Sequence, residues 1–468
     1  MDQLGILGSP GTGKTTYIER LLKDKKDYIY LTYSRSMAID ARRRIQVDEY
    51  QAGTLHSILA KILHLYDWMQ YKDVIEFCQR EHMSYPERWS SMKEPDEAQD
   101  DWSQFITAYD RSVNTKTDIG PHEHLKLHHL KVAYENYKEE TGKHDYTDIL
   151  RMASNSDLPP VETLVVDEAQ DLTPLMHDII DLWPATHKVY AGDPDQSIYG
   201  FRGTSADQFI RVLNRGEIIE LPHSYRFGDN VRVLGERIMS SVRNRIPKHY
   251  TGIGNTEIFR SSVSSFLELQ GNKTILCRTN RLAKYVASIL LPYPAVPVNT
   301  SHNLGNGWNG HILELTGIFH KYPQVSIAEQ EYLIGYLPAE ILVRGVKTAA
   351  KHHKLRSASQ SSLDGYVRIF KENKDTDKII KYLDISDQGK RNITAFYRKG
   401  LPDPVHIDTI HAAKGMEFEN VLIITDRPEH ISYGDEEHRI IYTGVTRVKK
   451  RLGITYLGRE PYYYNIPI

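Results

Sequence analysis

One octapeptide limits what this chain can fold into more than any other segment: Gly8-Ser9-Pro10-Gly11-Thr12-Gly13-Lys14-Thr15. It fills the pattern G-x-x-x-x-G-K-[ST], follows the apolar run Leu4–Leu7 and opens a helical pattern over about residues 14–23. Glycines at these spacings let backbone N–H groups curl around a phosphate, and the helix N-terminus adds the positive end of its dipole. In that geometry Lys14 reaches the β- and γ-phosphates, the Thr15 hydroxyl ligates Mg²⁺, and Thr16 follows in the first helical turn. A strand–loop–helix of this kind belongs to a parallel sheet flanked by helices.

A phosphate loop that holds a metal needs a second carboxylate. Leu164-Val165-Val166-Asp167-Glu168-Ala169-Gln170-Asp171 supplies it at the end of an apolar run. Asp167 is expected to hold Mg²⁺, and Glu168 to orient and deprotonate an attacking water. Further strand-like runs lie at 28–33, 163–166, 188–191, 274–277, 405–407 and 420–425, with helical patterns between many of them. The expected fold class is therefore α/β with parallel sheets. The 153 residues between Lys14 and Asp167 are too many for a small nucleotide kinase and imply an insertion.

Two long segments break the rhythm, at about 61–143 and 303–394. Within the first, residues 81–110 carry eight acids against two bases. Within the second, residues 341–400 carry fourteen Lys/Arg against six Asp/Glu. The basic stretch, with Lys347, Lys351, Lys354 and Arg356, is expected to face a polyanion, and the acidic patch to face away from it. Over the whole chain 59 basic residues meet 61 acidic ones, which excludes a polybasic protein but not a local basic groove. His124 and His128 stand i, i+4 without obvious further ligands, so an ordinary helix is the expectation there. Two cysteines, Cys78 and Cys277, cannot make a disulfide scaffold, and no apolar run is long enough to span a bilayer. With no leader pattern at the start, a cytoplasmic protein without membrane partners is expected.

Read in order, further segments carry a resemblance. Asp167-Glu-Ala-Gln-Asp171 and Gly192-Asp-Pro-Asp-Gln196-Ser-Ile-Tyr199-Gly-Phe201-Arg202-Gly203 resemble motifs II and III of the UvrD/Rep/PcrA helicases of superfamily 1. Leu31–Ala38 resembles motif Ia, Gly53–Ser57 motif Ib, and Asp145–Leu150 the family's Asp-Phe-x-Asp-Leu-Leu segment. Leu221–Arg226 resembles motif IV, Cys277–Asn280 motif IVa, Asp408–Phe418 motif V and Tyr442–Arg447 motif VI. The matches run from residue 8 to residue 447.

The resemblance implies two RecA-like lobes with a nucleotide between them, each carrying an insertion. The expected boundaries are 1–60 and 144–215 for lobe 1A, 61–143 for insertion 1B, 216–302 and 395–468 for lobe 2A, and 303–394 for a reduced 2B-like insertion. It implies ATP and Mg²⁺ as cofactors, with Gly8, Ser9, Pro10, Gly11, Thr12, Gly13, Lys14, Thr15, Thr16, Tyr225 and Glu417 around the nucleotide. Gln196 senses the γ-phosphate, and Arg226 and Arg447 reach in as arginine fingers. Single-stranded DNA and its junctions with duplex are the implied partners, and a loading or repair protein is a further partner that the resemblance allows. The implied strand contacts are Tyr33, Thr54, His56, Tyr199, Phe201, Arg202, Arg278, Asn280 and His411. Phe201 stands where the family usually has tryptophan, and Leu55 where an aromatic is common. The implied activity is 3′-to-5′ unwinding in replication, repair or recombination. A translocase that strips proteins from single strands is the alternative. Only seven residues precede Gly8, and Gln3 is the sole glutamine among them. Adenine is therefore expected to be held mainly by stacking on Tyr225, with relaxed base selectivity.

Overall fold

The apolar runs become strands because they are buried on both faces, as parallel sheets require. In Val161–Val166 every residue but Glu162 is buried. The computed structural model describes residues 2–86, 100–119, 125–260, 263–290, 298–300, 310–322, 324–351, 366–367, 376–385, 387, 389–391, 393–394, 405–425 and 434–456. The first sheet comprises β1 (Asp2–Leu7), β2 (Tyr28–Thr32), β3 (Ala52–Thr54), β4 (Val161–Val166), β5 (Ala185–Gly192) and β6 (Glu217–Glu220), in the order β3-β2-β4-β5-β1-β6. A two-stranded ribbon follows, β7 (His223–Ser224) with β8 (Thr251–Gly252). The second sheet comprises β9 (Glu257–Arg260), β10 (Lys273–Cys277), β11 (Val298–Thr300), β12 (Val405–Thr409), β13 (Phe418–Thr425) and β14 (Val448–Tyr456), in the order β11-β12-β10-β13-β14-β9. All neighbouring strands in both sheets are parallel.

This topology places the chemistry. Ligands of open parallel sheets bind beyond the carboxyl ends of the strands. β1 runs into the phosphate loop, β2 into Tyr33, β4 into Asp167 and β5 into Asp193, so four motifs meet at one rim. In the second sheet β10 runs into Arg278 and β12 toward His411.

The two insertions differ in how they are built. The first has no core of its own. Phe77, Trp102, Phe105, Tyr109, Tyr134 and Tyr137 share one apolar cluster with Leu7, Leu31, Leu164 and Val166 of the first sheet. Phe77 sits edge-on to Trp102 at 6.0 Å and to Tyr134 at 5.2 Å. Within the second, residues from Leu315 to Ile393 form a cluster of their own.

One expectation needs correction. The lobe boundary at 215/216 falls too early, because Glu217–Glu220 pairs with β1 as the edge strand of the first sheet. Its Glu-Ile-Ile-Glu sequence is half polar because an edge is half solvated. The Lys347 Nζ donates to the Leu337 carbonyl at 2.8 Å, which leaves two of its three N–H groups for other partners. His128 shares a 2.7 Å hydrogen bond with the Ile119 carbonyl, as an ordinary helical histidine does. His124, Lys354, Arg356 and residues 87–99 of the acidic patch lie outside the described residues. Cys78 and Cys277 are buried free thiols. Among the described residues no helix is long and apolar enough to cross a membrane.

Because Phe77 lies in the apolar cluster that the insertion shares with the first sheet, Phe77→Ala should destabilise both together, by about 3–5 kcal/mol. Urea unfolding followed by tryptophan fluorescence checks this; a loss under about 1 kcal/mol would mean that the insertion is not packed as described.

Candidate nucleotide and strand site

The phosphate loop is wrapped around its own backbone. Gly8 N–H donates to the Gly192 carbonyl at 3.2 Å, and the Thr12 hydroxyl to the Ser9 carbonyl at 2.8 Å. Gly11 and Gly13 take φ of +76° and +85°, which only glycine adopts without strain. Lys14 is buried, and its Nζ donates to the Gly8 carbonyl at 3.0 Å, at the mouth of the loop. Thr16 is exposed on the first turn of the helix Lys14–Leu22.

The Thr15 hydroxyl donates to Asp167 Oδ2 at 3.1 Å, and the Tyr30 hydroxyl donates to the same oxygen at 2.6 Å. A hydroxyl beside a carboxylate is a hard oxygen pair that suits Mg²⁺. Burial, then the neighbouring Glu168, pushes the Asp167 carboxyl above its usual range. A divalent cation would relieve that cost. Burial opposes ionisation of Glu168 too, but Lys14 and Lys414 outweigh it and hold Glu168 below the usual range, as a base requires.

Glu168 lies in the left-handed region at φ +56°, which costs a non-glycine residue about 1–3 kcal/mol. Gln170 fixes its position. The Gln170 side-chain amide donates to Glu168 Oε2, and Gln170 Oε1 accepts from Asp193 N at 3.1 Å. Gln196 Nε2 in turn donates to Asp193 Oδ2 at 3.1 Å.

The second lobe closes over this rim. Ser224 Oγ donates to the Pro10 carbonyl at 2.7 Å, and Tyr225 N to the Gly11 carbonyl at 2.9 Å. The Tyr225 side chain stands exposed beside the loop. Gln3 turns elsewhere, donating to the Val212 carbonyl. Arg226 donates to Glu417 Oε2 at 3.0 Å and to the Thr446 carbonyl at 3.1 Å. Arg447 is buried and donates to Gln196 Oε1 at 2.5 Å. Burial, then the Arg226 guanidinium, pushes Arg447 toward losing its proton. Two adjacent cations so placed favour a polyanion between the lobes.

Behind this pocket lies an aromatic cluster. Tyr33 and Tyr199 stack at 5.0 Å, and Phe201 meets Tyr199 edge-on at 6.0 Å. Arg202 donates to the Tyr33 hydroxyl at 2.5 Å and lies over the Tyr199 ring at 5.4 Å. The His411 ring lies 5.9 Å from Tyr199, and its Nε2 shares a 2.9 Å hydrogen bond with the Ile198 carbonyl. His56 lies edge-on to Tyr146 at 5.6 Å, and burial depresses its pKa to about 4, so it is neutral. Thr54 caps the helix Leu55–Ile62 by accepting from Ser57 N at 3.2 Å. Asn280 opens the helix Asn280–Leu290.

Arg278 departs from expectation. It is buried and donates to Glu437 at 2.6 and 3.0 Å, tying β10 to the helix Asp435–Val445. These bonds commit its Nε and Nη2 groups to Glu437 rather than to a strand.

Sequence reasoning missed three residues. Lys414 donates at 2.5 Å to both Asp171 Oδ1 and the Gln196 carbonyl, and its Nζ lies 4.9 Å from the Tyr199 ring centroid. Its place inside motif V was the available signal. Gln170 links Glu168 to Asp193, and only a structure shows that. Tyr146 is an exposed ring stacked on Trp68 at 6.3 Å beside His56.

Residues 2–215 match the UvrD/REP helicase N-terminal domain, and residues 320–459 match the UvrD-like helicase C-terminal domain. The chain belongs to the UvrD/Rep-like helicases of superfamily 1. Among curated relatives it is 26% identical to F-box DNA helicase protein 1 of Schizosaccharomyces pombe, over 72% of this chain and 36% of that protein. It is 25% identical to F-box DNA helicase 1 of Gallus gallus, over 64% of this chain and 29% of that protein. Identity to ATP-dependent DNA helicase SRS2 of Saccharomyces cerevisiae is 25%, over 52% of this chain and 26% of that protein. The alignments thus span about a third or less of these relatives.

A Cβ added to Gly11 would stand 2.5 Å from Arg226 Cβ and 2.9 Å from Ser224 Oγ, at a φ that alanine avoids. Gly11→Ala should therefore push the second lobe off the loop of this UvrD/Rep-like protein. Affinity for a fluorescent ATP analogue should fall at least about tenfold, with thermal stability changed little. Unchanged affinity would mean that the close approach of Arg226 does not matter for binding.

Proposed function

We propose that this chain is an ATP-dependent DNA translocase and helicase that moves 3′ to 5′ on single strands, in DNA repair, replication or recombination. One observation carries the reading. Arg447 of the second lobe donates to Gln196 of the first, in the same buried cluster as Glu168. A pocket completed by two lobes is one that nucleotide can close and hydrolysis can reopen.

In this reading Lys14 and the loop amides hold the phosphates, and Thr15 and Asp167 hold Mg²⁺, which would neutralise charge on the β- and γ-oxygens. Glu168 takes a proton from water as its oxygen attacks the γ-phosphorus and the bond to the β-phosphate oxygen breaks. Arg226 and Arg447 balance the charge that develops. Tyr225 offers a stacking face for the base. The Tyr33, Tyr199, Phe201, Arg202 and His411 cluster, with His56 and Tyr146, is the strand track. Bases stack there with little sequence preference.

The test is ATPase with and without single strands, together with unwinding of 3′-tailed, 5′-tailed and forked duplexes. The expected results are strong stimulation and unwinding of 3′-tailed duplex only. Stimulation without unwinding would favour the protein-stripping translocase. Lack of stimulation would sink the DNA reading. Glu168→Gln should bind nucleotide normally and lose turnover by at least about a hundredfold; normal turnover would remove Glu168 from the base role.

A further inference from the structure

Behind Gln196 lies a buried charge network that the chemistry above does not use. Asp193 and Asp195 of the first lobe are both essentially sealed from solvent. Two cations from the segment after β7 meet them. Lys248, whose side chain is 1% exposed, reaches Asp193 Oδ1 at 2.6 Å and Asp195 Oδ2 at 2.7 Å. Arg245 reaches Asp195 Oδ2 at 2.9 Å and holds Glu236 with its other nitrogens. Asp195 therefore has two cations, whereas Asp193 has Lys248 as its only ion-pair partner among the described residues. The remaining oxygen of Asp193, Oδ2, accepts from Gln196 Nε2 at 3.1 Å and from the Tyr442 hydroxyl at 3.3 Å.

The direction of these bonds matters. An ionised carboxylate can only accept, so it forces Gln196 to present its NH₂ group to Asp193. The amide's one oxygen then faces Arg447, which can only donate. We propose that Lys248 is a positioning residue for ATP hydrolysis. It keeps Asp193 ionised and in place, and so orients the Gln196 amide toward Arg447. Without the cation, a buried lone carboxylate takes up a proton or turns away. A protonated Asp193 can donate, so the amide is free to flip. Its NH₂ group then opposes the guanidinium.

This inference rests on the ATPase reading above, and the test keeps the two apart. The readout is intrinsic Mg²⁺-dependent ATPase measured without DNA, as kcat and KM separately. Lys248→Met should lower kcat at least about tenfold and change KM less than about threefold. Lys248→Arg, which keeps a cation beside Asp193, should hold kcat to within about threefold of wild type. Asp193→Asn should lower kcat at least about tenfold with little change in KM, because Lys248 claims the asparagine oxygen and the asparagine NH₂ group then faces Gln196. A role confined to stability predicts instead a lower melting temperature with kcat unchanged. Wild-type kcat in Lys248→Met or in Asp193→Asn, or a Lys248→Arg variant as slow as Lys248→Met, overturns the proposal. Should Lys248→Met fail to fold, Lys248→Arg and Asp193→Asn carry the test, and wild-type kcat in Asp193→Asn overturns the proposal equally. DNA stimulation, measured in parallel on wild type, reports only on the strand reading. A wild-type chain inert toward ATP overturns both.

Discussion

Two neighbouring guanidinium groups of the second lobe, turned toward the first, set the terms for the rest of this molecule. Arg226 and Arg447 raise each other's electrostatic cost, and Arg447 is also buried. Arginine cannot escape that cost by losing its proton near neutral pH. What relieves it is negative charge, and the phosphate loop opposite is built to present negative charge at that point. A bound anion would therefore strengthen an attachment between the lobes that Ser224, Tyr225, Lys248 and Lys414 already make.

The same rim carries the signal outward. Glu168 is tied through Gln170 to Asp193, and Asp193 to Gln196 and Lys248. On the other side Asp171 holds Lys414, whose ammonium lies over the Tyr199 ring. Burial first, then the opposing pull of Lys414 and push of Glu168, leaves the Asp171 carboxyl raised to about 6. Few bonds therefore separate the base from the aromatic cluster. Three of them, Lys248 to Asp193, Lys414 to Asp171 and Lys414 to Tyr199, cross the lobe boundary, so a change in lobe spacing must be felt at both ends.

Much of this was legible in the sequence. The phosphate loop, the Asp-Glu pair and the motif order gave two parallel sheets and a shared pocket, because their spacing is dictated by phosphate geometry. Long, doubly buried strands such as β4 and β13 were readable for the same hydrophobic reason. Short or charged strands were not. The edge strand Glu217–Glu220 falls at the expected lobe boundary, since edge positions tolerate polar residues, and Val448–Tyr456, an inner strand between β13 and β9, opens on the charged run Lys449-Lys450-Arg451. Partnerships were harder still. Arg278 looks like a strand contact until Glu437, 159 residues away, is found beside it. Lys248 looks like one of many surface lysines, and only folding shows that it is buried against two carboxylates.

On the proposed reading, Lys414 couples the nucleotide site to the strand track. By linkage, single-stranded DNA must change affinity for a non-hydrolysable ATP analogue by the same factor as the analogue changes affinity for DNA. Fluorescence titrations of each ligand with and without the other measure both factors. The account predicts equal factors of at least about fivefold in wild type, and less than about twofold in Lys414→Met with each ligand alone still binding. Independent binding in wild type, or full coupling in Lys414→Met, would contradict it.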